Sequence, residues 1–376
     1  MAKPISADLT NNNLCILEYS TTDGIMLSIN TRSFSFDANI EAHTYTDIGR
    51  IIFGTPVTKI GDKAFRDCSS LTSVTIPDSV TKIGVSAFSY CSGLTSVVIP
   101  GSVTEIGKFA FYGCSGLTSI KVADGNKIYD SRDNCNAIIE TATNTLVRGC
   151  EATIIPDSVT TIEEYAFYGC SGLTSVVIPD SVTEIGKLAF YGCSGLMSVV
   201  IPDSVTTIEE YAFYGCSGLT SIKVADGNKI YDSRDNCNAI IETATNTLVC
   251  GCEATIIPDS VTKIEESAFS DCSGLTSVVI PDSVTKIGDF AFEGCRGLTS
   301  VVIPGGVTEI GDFAFSNCSG LTSVYCKPIT PPTAGSSMFS DNASGRKIYV
   351  LASSIEAYKA ASYWSWYKSD IEGYDF

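Results

Sequence analysis

The chain has 376 residues, a formal net charge of −18, and 44% hydrophobic against 18% charged residues. That acidity excludes non-specific nucleic-acid binding, which needs clustered Lys and Arg, and docking on an anionic membrane through a basic face. No apolar stretch approaches the ~20 residues of a membrane helix, so no transmembrane segment is expected.

Met1-Ala-Lys-Pro opens on a polar segment without the hydrophobic core of a signal peptide. The chain is therefore expected either to stay inside the cell or to be a mature form after export. Residues 1–49 differ in composition from the rest and are expected to form an N-terminal β cap. Within them, residues 14–19 and 24–29 flank Thr21-Thr-Asp-Gly24 as a hairpin signal, and residues 34–45 can add further strands. The lone histidine, His43, lies here. It has no second histidine and no nucleophile elbow beside it, so its expected role is structural.

From residue 50 to 325 the chain repeats itself. Cys68, Cys91 and Cys114 are 23 residues apart, as are Cys170, Cys193 and Cys216, and Cys272, Cys295 and Cys318. A second period of 102 residues lies above the first, and residues 110–160 match 212–262 everywhere except Arg148, which becomes Cys250. Size alone would point to two or three domains, but a repeat of this length predicts coils stacked on their neighbours. The expected fold is a β-rich solenoid, a right-handed leucine-rich-repeat coil with short helical or 3₁₀ returns. Its first strand is expected at Ile51-Ile52-Phe53.

One coil reads Leu94-Thr-Ser-Val97-Val-Ile99-Pro100. Leu94, Val97 and Ile99 follow the L-x-x-L-x-L rhythm and face inward, which turns Ser96 and Val98 outward. Pro100 has no N–H to donate and ends the strand. Val103, Ile106, Ala110 and Phe111 follow at spacings of three and four residues, predicting a single helical or 3₁₀ turn on the return, with corners at Gly107 and Gly113. With Cys114, eight residues of the coil face the core. The column of phenylalanines is expected to be core packing.

Nine of the sixteen cysteines share one repeat position, and Cys150 and Cys252 stand where other coils carry the leading leucine. Cysteine is expected here as a small buried hydrophobe with free thiols. Cys135 with Cys150, Cys237 with Cys252, and Cys250 with Cys252 are the pairs best placed for exceptions. The return also carries Asp62, Glu163, Glu164, Glu209, Glu210, Glu265, Glu266, Asp289 and Asp312. These carboxylates are expected on a solvated face, because catalytic carboxylates need a cleft that shifts their pKa.

Two longer units, 119–155 and 221–257, break the metre. In the first, residues 136–140 and Thr145–Arg148 read as strands of a β-hairpin across Thr141-Ala-Thr-Asn144, with the chain back in register at Thr153-Ile154-Ile155. Asp124, Asn126, Asp130 and Asp133 offer oxygen ligands that could suggest calcium but miss the D-x-[DN]-x-[DN]-G pattern, so Asx-type turns are expected, and no metal or cofactor. Residues 326–376 are expected to form a C-terminal cap. It has a last strand at Lys347-Ile-Tyr-Val350 and a short helix over residues 355–361, capped by Ser353 or Ser354. Tyr363, Trp364, Trp366 and Tyr367 close the cap, and can also form an aromatic platform.

The phrase IPDSV-T-x-I-G-x-x-AF-x-x-C-SGLTSV resembles the BspA-type leucine-rich repeat of bacterial surface proteins, and the resemblance covers nearly the whole chain. It takes in the YDSRDNCNAII insertion, the TTDG region and the KIYV…EAYKAA ending. It implies a curved or twisted solenoid on the cell surface or secreted, associated with adhesion to host matrix proteins or other bacteria, and carries over no catalytic residues. The leading expectation is thus a non-enzymatic protein that binds a protein partner through the strand face. About a dozen coils at ~4.8 Å would present an outward column there: Ile52, Thr75, Val98, Lys121, Ile154, Val177, Val200, Lys223, Ile256, Val279, Val302 and Tyr325. A sugar-binding protein using Tyr363, Trp364, Trp366 and Tyr367, and an intracellular scaffold, are the alternatives. An enzyme ranks last, since no distinct nucleophile, base and oxyanion donor appear together.

Overall fold

The structure, a computed structural model, describes residues 15–29 and 35–376. Met1-Ala-Lys-Pro, Leu14 and Phe34 lie outside the described residues. The chain divides into two compact units, Met1–Leu173 and Thr174–Phe376. Each is a stretch of β-solenoid whose coils advance by the repeat length.

That advance is visible in strand register. In the first unit Ser96–Ile99 runs parallel to Ser119–Val122, with Val97 opposite Ile120 and Val98 opposite Lys121. In the second, Ser198–Ile201 pairs with Ser221–Val224 in the same way. Ser300–Ile303 pairs with Ser323–Cys326, which continues to Lys347–Leu351 and then to Ile371–Tyr374. The Leu-x-x-Val-x-Ile rhythm works as alternation requires: Leu94, Val97 and Ile99 are buried while Val98 is 51% exposed.

The return carries the tight turn that its spacing predicts, as single i→i+3 turns and not a continuous helix, together with short strands that the spacing does not predict. Two-residue strands such as Lys59–Ile60, Lys82–Ile83 and Glu105–Ile106 form a second parallel ladder. Tight turns follow, with Ala110 N donating to Gly107 O at 3.0 Å and Cys114 N to Phe111 O at 3.3 Å. Phe109 and Gly113 sit at φ 62° and 68°, and left-handed residues at this interval cannot propagate a helix. The freed amides bond across coils instead, as Phe88 N does to Ala110 O at 2.8 Å. A Cβ on Gly107 would meet Val85 N at 2.6 Å, so glycine there lets adjacent backbones touch. Ile106, expected in the core, is only half-buried.

Side chains repeat the backbone's order. Phe65, Phe88 and Phe111 stack with ring centroids 5.0 and 5.4 Å apart, and Phe269, Phe292 and Phe315 at 4.9 and 5.0 Å. Thiols donate to phenylalanine carbonyls 26 residues earlier, Cys114 Sγ to Phe88 O at 3.1 Å and Cys318 Sγ to Phe292 O at 3.1 Å. Thr104 and Ser102 hydroxyls donate to Thr81 O and Val80 O at 3.3 and 2.6 Å. Much of the Ser/Thr content therefore stitches coils together rather than only facing water. All sixteen cysteines are free, including the three pairs singled out for bridges, and only Cys15 is not buried.

The N-terminal sheet is antiparallel where the array is parallel. Cys15–Thr21 lies between Gly49–Phe53 and Leu71–Thr75 and opposes both, and Ile40–Tyr45 pairs on the far side of Gly49–Phe53. Residues 25–29 form no strand, so the expected TTDG hairpin is absent. Gly49–Phe53 belongs to this cap and not to the first coil. It has a strand on each edge, and Ile52 is only 3% exposed, so it leaves the outward column. His43 is structural: its Nε2 shares a 2.6 Å hydrogen bond with the hydroxyl of buried Tyr19, which also accepts from Leu27 N at 3.2 Å.

The inserted hairpin forms as expected, Ile138–Glu140 against Thr145–Arg148, with an unforeseen third strand at Tyr129–Asp130. Thr145–Arg148 then pairs in parallel with Thr161–Ile162, which makes the hairpin part of the return ladder. Thr153-Ile154-Ile155 forms no strand, although Ile154 N bonds to Cys135 O at 3.0 Å. At the C-terminus the helix is Ile355–Ala360, and the hydroxyl of its N-cap Ser354 makes no capping bond. Tyr358 and Trp364 are fully buried, their rings 4.8 Å apart and edge-on, with Trp364 Nε1 donating to Pro332 O at 2.9 Å. These residues close the end of the core.

Candidate functional site

Within each unit the strand face has a repeated outward column. Val98, Val200 and Val302 stand on strands, flanked by Ser96, Ser198 and Ser300. Thr75, Lys121 and Lys223 are exposed on the same face. The column does not run on strands throughout. Ile154, Val177, Ile256 and Val279 lie outside any strand and are the most exposed of it, Val177 and Val279 each at 82%. Ile52 is buried, as described above. Tyr325 is half-buried because its ring stacks on Tyr349 at 5.0 Å, with Tyr374 edge-on at 5.4 Å. Tyr349 and Tyr374 thus extend the column. The KIYV strand signalled the first, whereas the short, glycine-containing Ile371–Tyr374 carried no strand signal.

The breaks in the sheet have a cause in the inserted units. Beyond Ser119–Val122, where the next strand would lie, side chains take over its hydrogen bonds. Asn136 Oδ1 accepts from Ile120 N at 2.6 Å and Ser131 Oγ from Val122 N at 2.9 Å. Asn238 and Ser233 do the same for Ile222 and Val224 at 2.6 and 2.9 Å. The sheet edge is satisfied without a partner strand. Each break leaves a polar notch, ≈ 760 Å³ beside Lys121 in the first unit and ≈ 720 Å³ beside Lys223 in the second.

The aromatic platform foreseen at the C-terminus is half dismantled. Trp364 is buried, and Tyr367 is half-buried with its hydroxyl accepting from Phe339 N at 3.2 Å. Tyr363 and Trp366 remain exposed, rings 5.0 Å apart and edge-on.

The return-side carboxylates are more engaged than a solvated face requires. Asp62 and Asp289 accept amides of the next coil, from Val85 N at 3.0 Å and Asp312 N at 2.8 Å. Glu164 pairs with Lys108 at 2.6 Å, and Glu265 with Lys263 at 2.7 Å. Burial, then the neighbouring Glu140 and Glu164, raises the pKa of Glu163. The one difference between the long duplicates falls here. Arg148 is buried, donating to Tyr165 O and Tyr168 O at 3.1 and 3.4 Å, beside a cleft of ≈ 280 Å³. Where Cys250 replaces it, the matching cleft is ≈ 350 Å³ and lined by Glu209, Glu210, Glu242, Glu265 and Glu266. Among the described residues, no group of three or more His, Cys, Asp and Glu side chains is arranged to hold a metal ion.

This coil, with its cysteine column and strand face, defines a class of protein. The chain belongs to the BspA type leucine rich repeat region family, which it matches over residues 37–143, 147–245 and 248–365. It is similar to a leucine rich cell surface protein from Faecalibacterium prausnitzii A2-165, at 28% identity over 90% of this chain and 98% of that one, with a TM-score of 0.57. It is also similar to a leucine-rich repeat protein from Eubacterium ventriosum ATCC 27560, at 25% identity over 73% and 66% of the two chains, TM-score 0.49. No curated protein matches it. Among the described residues no helix is long and apolar enough to cross a membrane.

Proposed function

We propose that the chain is a non-enzymatic adhesion protein of a bacterial cell surface that recognises a host or bacterial protein through its strand face. The observation that carries this is the exposure of Val177, Val200, Val279 and Val302 in the second unit, repeated by Val98 in the first, beside serines and with little charge. Large side chains held out from successive coils offer many weak, equivalent contacts, and these gain strength by multiplicity. The surface assignment draws on the family and on the Faecalibacterium protein's description as a cell surface protein. Protease treatment of intact cells should remove the chain, and its full survival until lysis would place it inside.

The partner is tested by immobilising the chain and measuring capture of purified host matrix proteins. Val177→Asp with Val200→Asp should abolish capture of whichever protein binds. Equal capture by that variant would move the interface elsewhere. A glycan site at the C-terminal cap is the second reading, favoured only by the exposed Tyr363 and Trp366 pair. Trp366→Ala should then erase binding on a glycan array.

A further inference from the structure

We infer that the two notches of the inserted units are binding sites for a neutral saccharide, one in each unit and distinct from the apolar column. Every residue lining the first notch has an identical counterpart 102 positions on.

The side chains around each notch fall into two sets. The frame is fully committed. Asn126 donates to Pro100 O and Val103 O and accepts from Ile128 N and Tyr129 N, all at 2.9 Å. Asn136 and Ser131 hold the strand edge, and each also donates, to Thr118 O at 2.8 Å and Ala137 O at 2.6 Å. Arg132 bonds to Asp130 at 2.9 Å and to Asn144 at 2.8 Å. Lys121, Asp124 and Asn134 form the other set: they are exposed on the notch and make no side-chain hydrogen bond or ion pair among the described residues. Lys223, Asp226 and Asn236 repeat this in the second notch.

The loop that presents Asn134 and Asn236 takes the same left-handed backbone in both copies. Asp133, Asn134 and Asn136 lie at φ 57°, 53° and 58°, and Asp235, Asn236 and Asn238 at 58°, 53° and 57°. A frame whose polar groups are already satisfied needs no reordering when a ligand arrives, which removes part of the cost of binding.

The free groups define the ligand. An ammonium donates, a carboxylate accepts and a carboxamide does both, with charges that cancel. Vicinal hydroxyls donate and accept in the same way, whereas an anion would meet Asp124 and a cation Lys121. A peptide adding as a strand would need the amides of Ile120 and Val122, and Asn136 and Ser131 already hold them. The notch volumes fall in the range of small-ligand sites.

The test is a printed array of neutral oligosaccharides, followed by calorimetry with the best-bound one. Two sites per chain are expected. Asn134→Gly, which keeps a backbone able to hold positive φ, should lower the count to one, and Asn134→Gly with Asn236→Gly should weaken binding at least tenfold. Lys121→Ser with Lys223→Ser should weaken it as well, while Val177→Asp with Val200→Asp should leave it intact. No binding to any neutral glycan, equal binding by the double glycine variant, or binding of peptides alone would overturn the assignment.

Discussion

At the repeat's cysteine position a small side chain must fill a slot and also satisfy a carbonyl. The thiol does both, donating to a phenylalanine oxygen of the coil before that also accepts a backbone amide, so alanine or valine would remove one of that oxygen's two bonds. Burial pushes the thiols up, Cys68 to about 11 and Cys114 to about 12, so they stay protonated and unreactive. In the native state a thiol reagent at pH 8 should label Cys15 alone, and rapid labelling of several more would mean that the coils open. Because the folded pKa lies above the unfolded value, this stabilisation is fully present below the unfolded pKa of ~8.5 and is lost as pH rises through 11 to 12. A melting temperature that holds to about pH 8.5 and then falls steeply is the expected profile by calorimetry. The phenylalanine stack carries more of the stability. Phe292→Ala, between Phe269 and Phe315, should cost ~3–5 kcal/mol in denaturant unfolding.

Among the elements, the inserted unit shows how a parallel array stops and resumes. Asn126 makes four hydrogen bonds that tie it to the preceding coil. Asn126→Ala should therefore cost about 2–3 kcal/mol, with Asn228→Ala as an internal replicate. At the N-terminal cap, burial lowers the pKa of His43, which opposes protonation beside Tyr19. A depressed pKa contributes stability above the unfolded value, lost as pH falls through the folded one. The cap should loosen in mild acid before the coils do, as faster amide exchange over Cys15–Thr21 below about pH 6. The hairpin at Ile138–Glu140 and Thr145–Arg148 was legible because its strand residues flank a turn-forming run. The third strand, Tyr129–Asp130, was not, since two residues carry no period.

For the whole molecule, the repeat makes one local solution serve many times, and the proposed binding face inherits that multiplicity. Val177→Asp with Val200→Asp should leave unfolding within about 0.5 kcal/mol of the parent for each site, since both side chains are exposed, so that lost capture reports the interface and not the fold. The coil, most of its inward residues and most of the outward column were readable from the 23-residue spacing, because burial repeats wherever the pattern repeats, while the wording of the repeat carried the family resemblance. Long-range geometry decided what spacing cannot encode. Strand direction turned Ile52 from the face into the cap, and ring packing buried Trp364 under the last coil. Left-handed corners held the return to single i→i+3 turns, and pairing between coils added a second ladder beside them. The notches arise in the same way, because Asn136 meets Ile120 only once the chain has folded back on itself. Periodicity records which side of a coil a residue faces, but only the packed coil determines which neighbour arrives there.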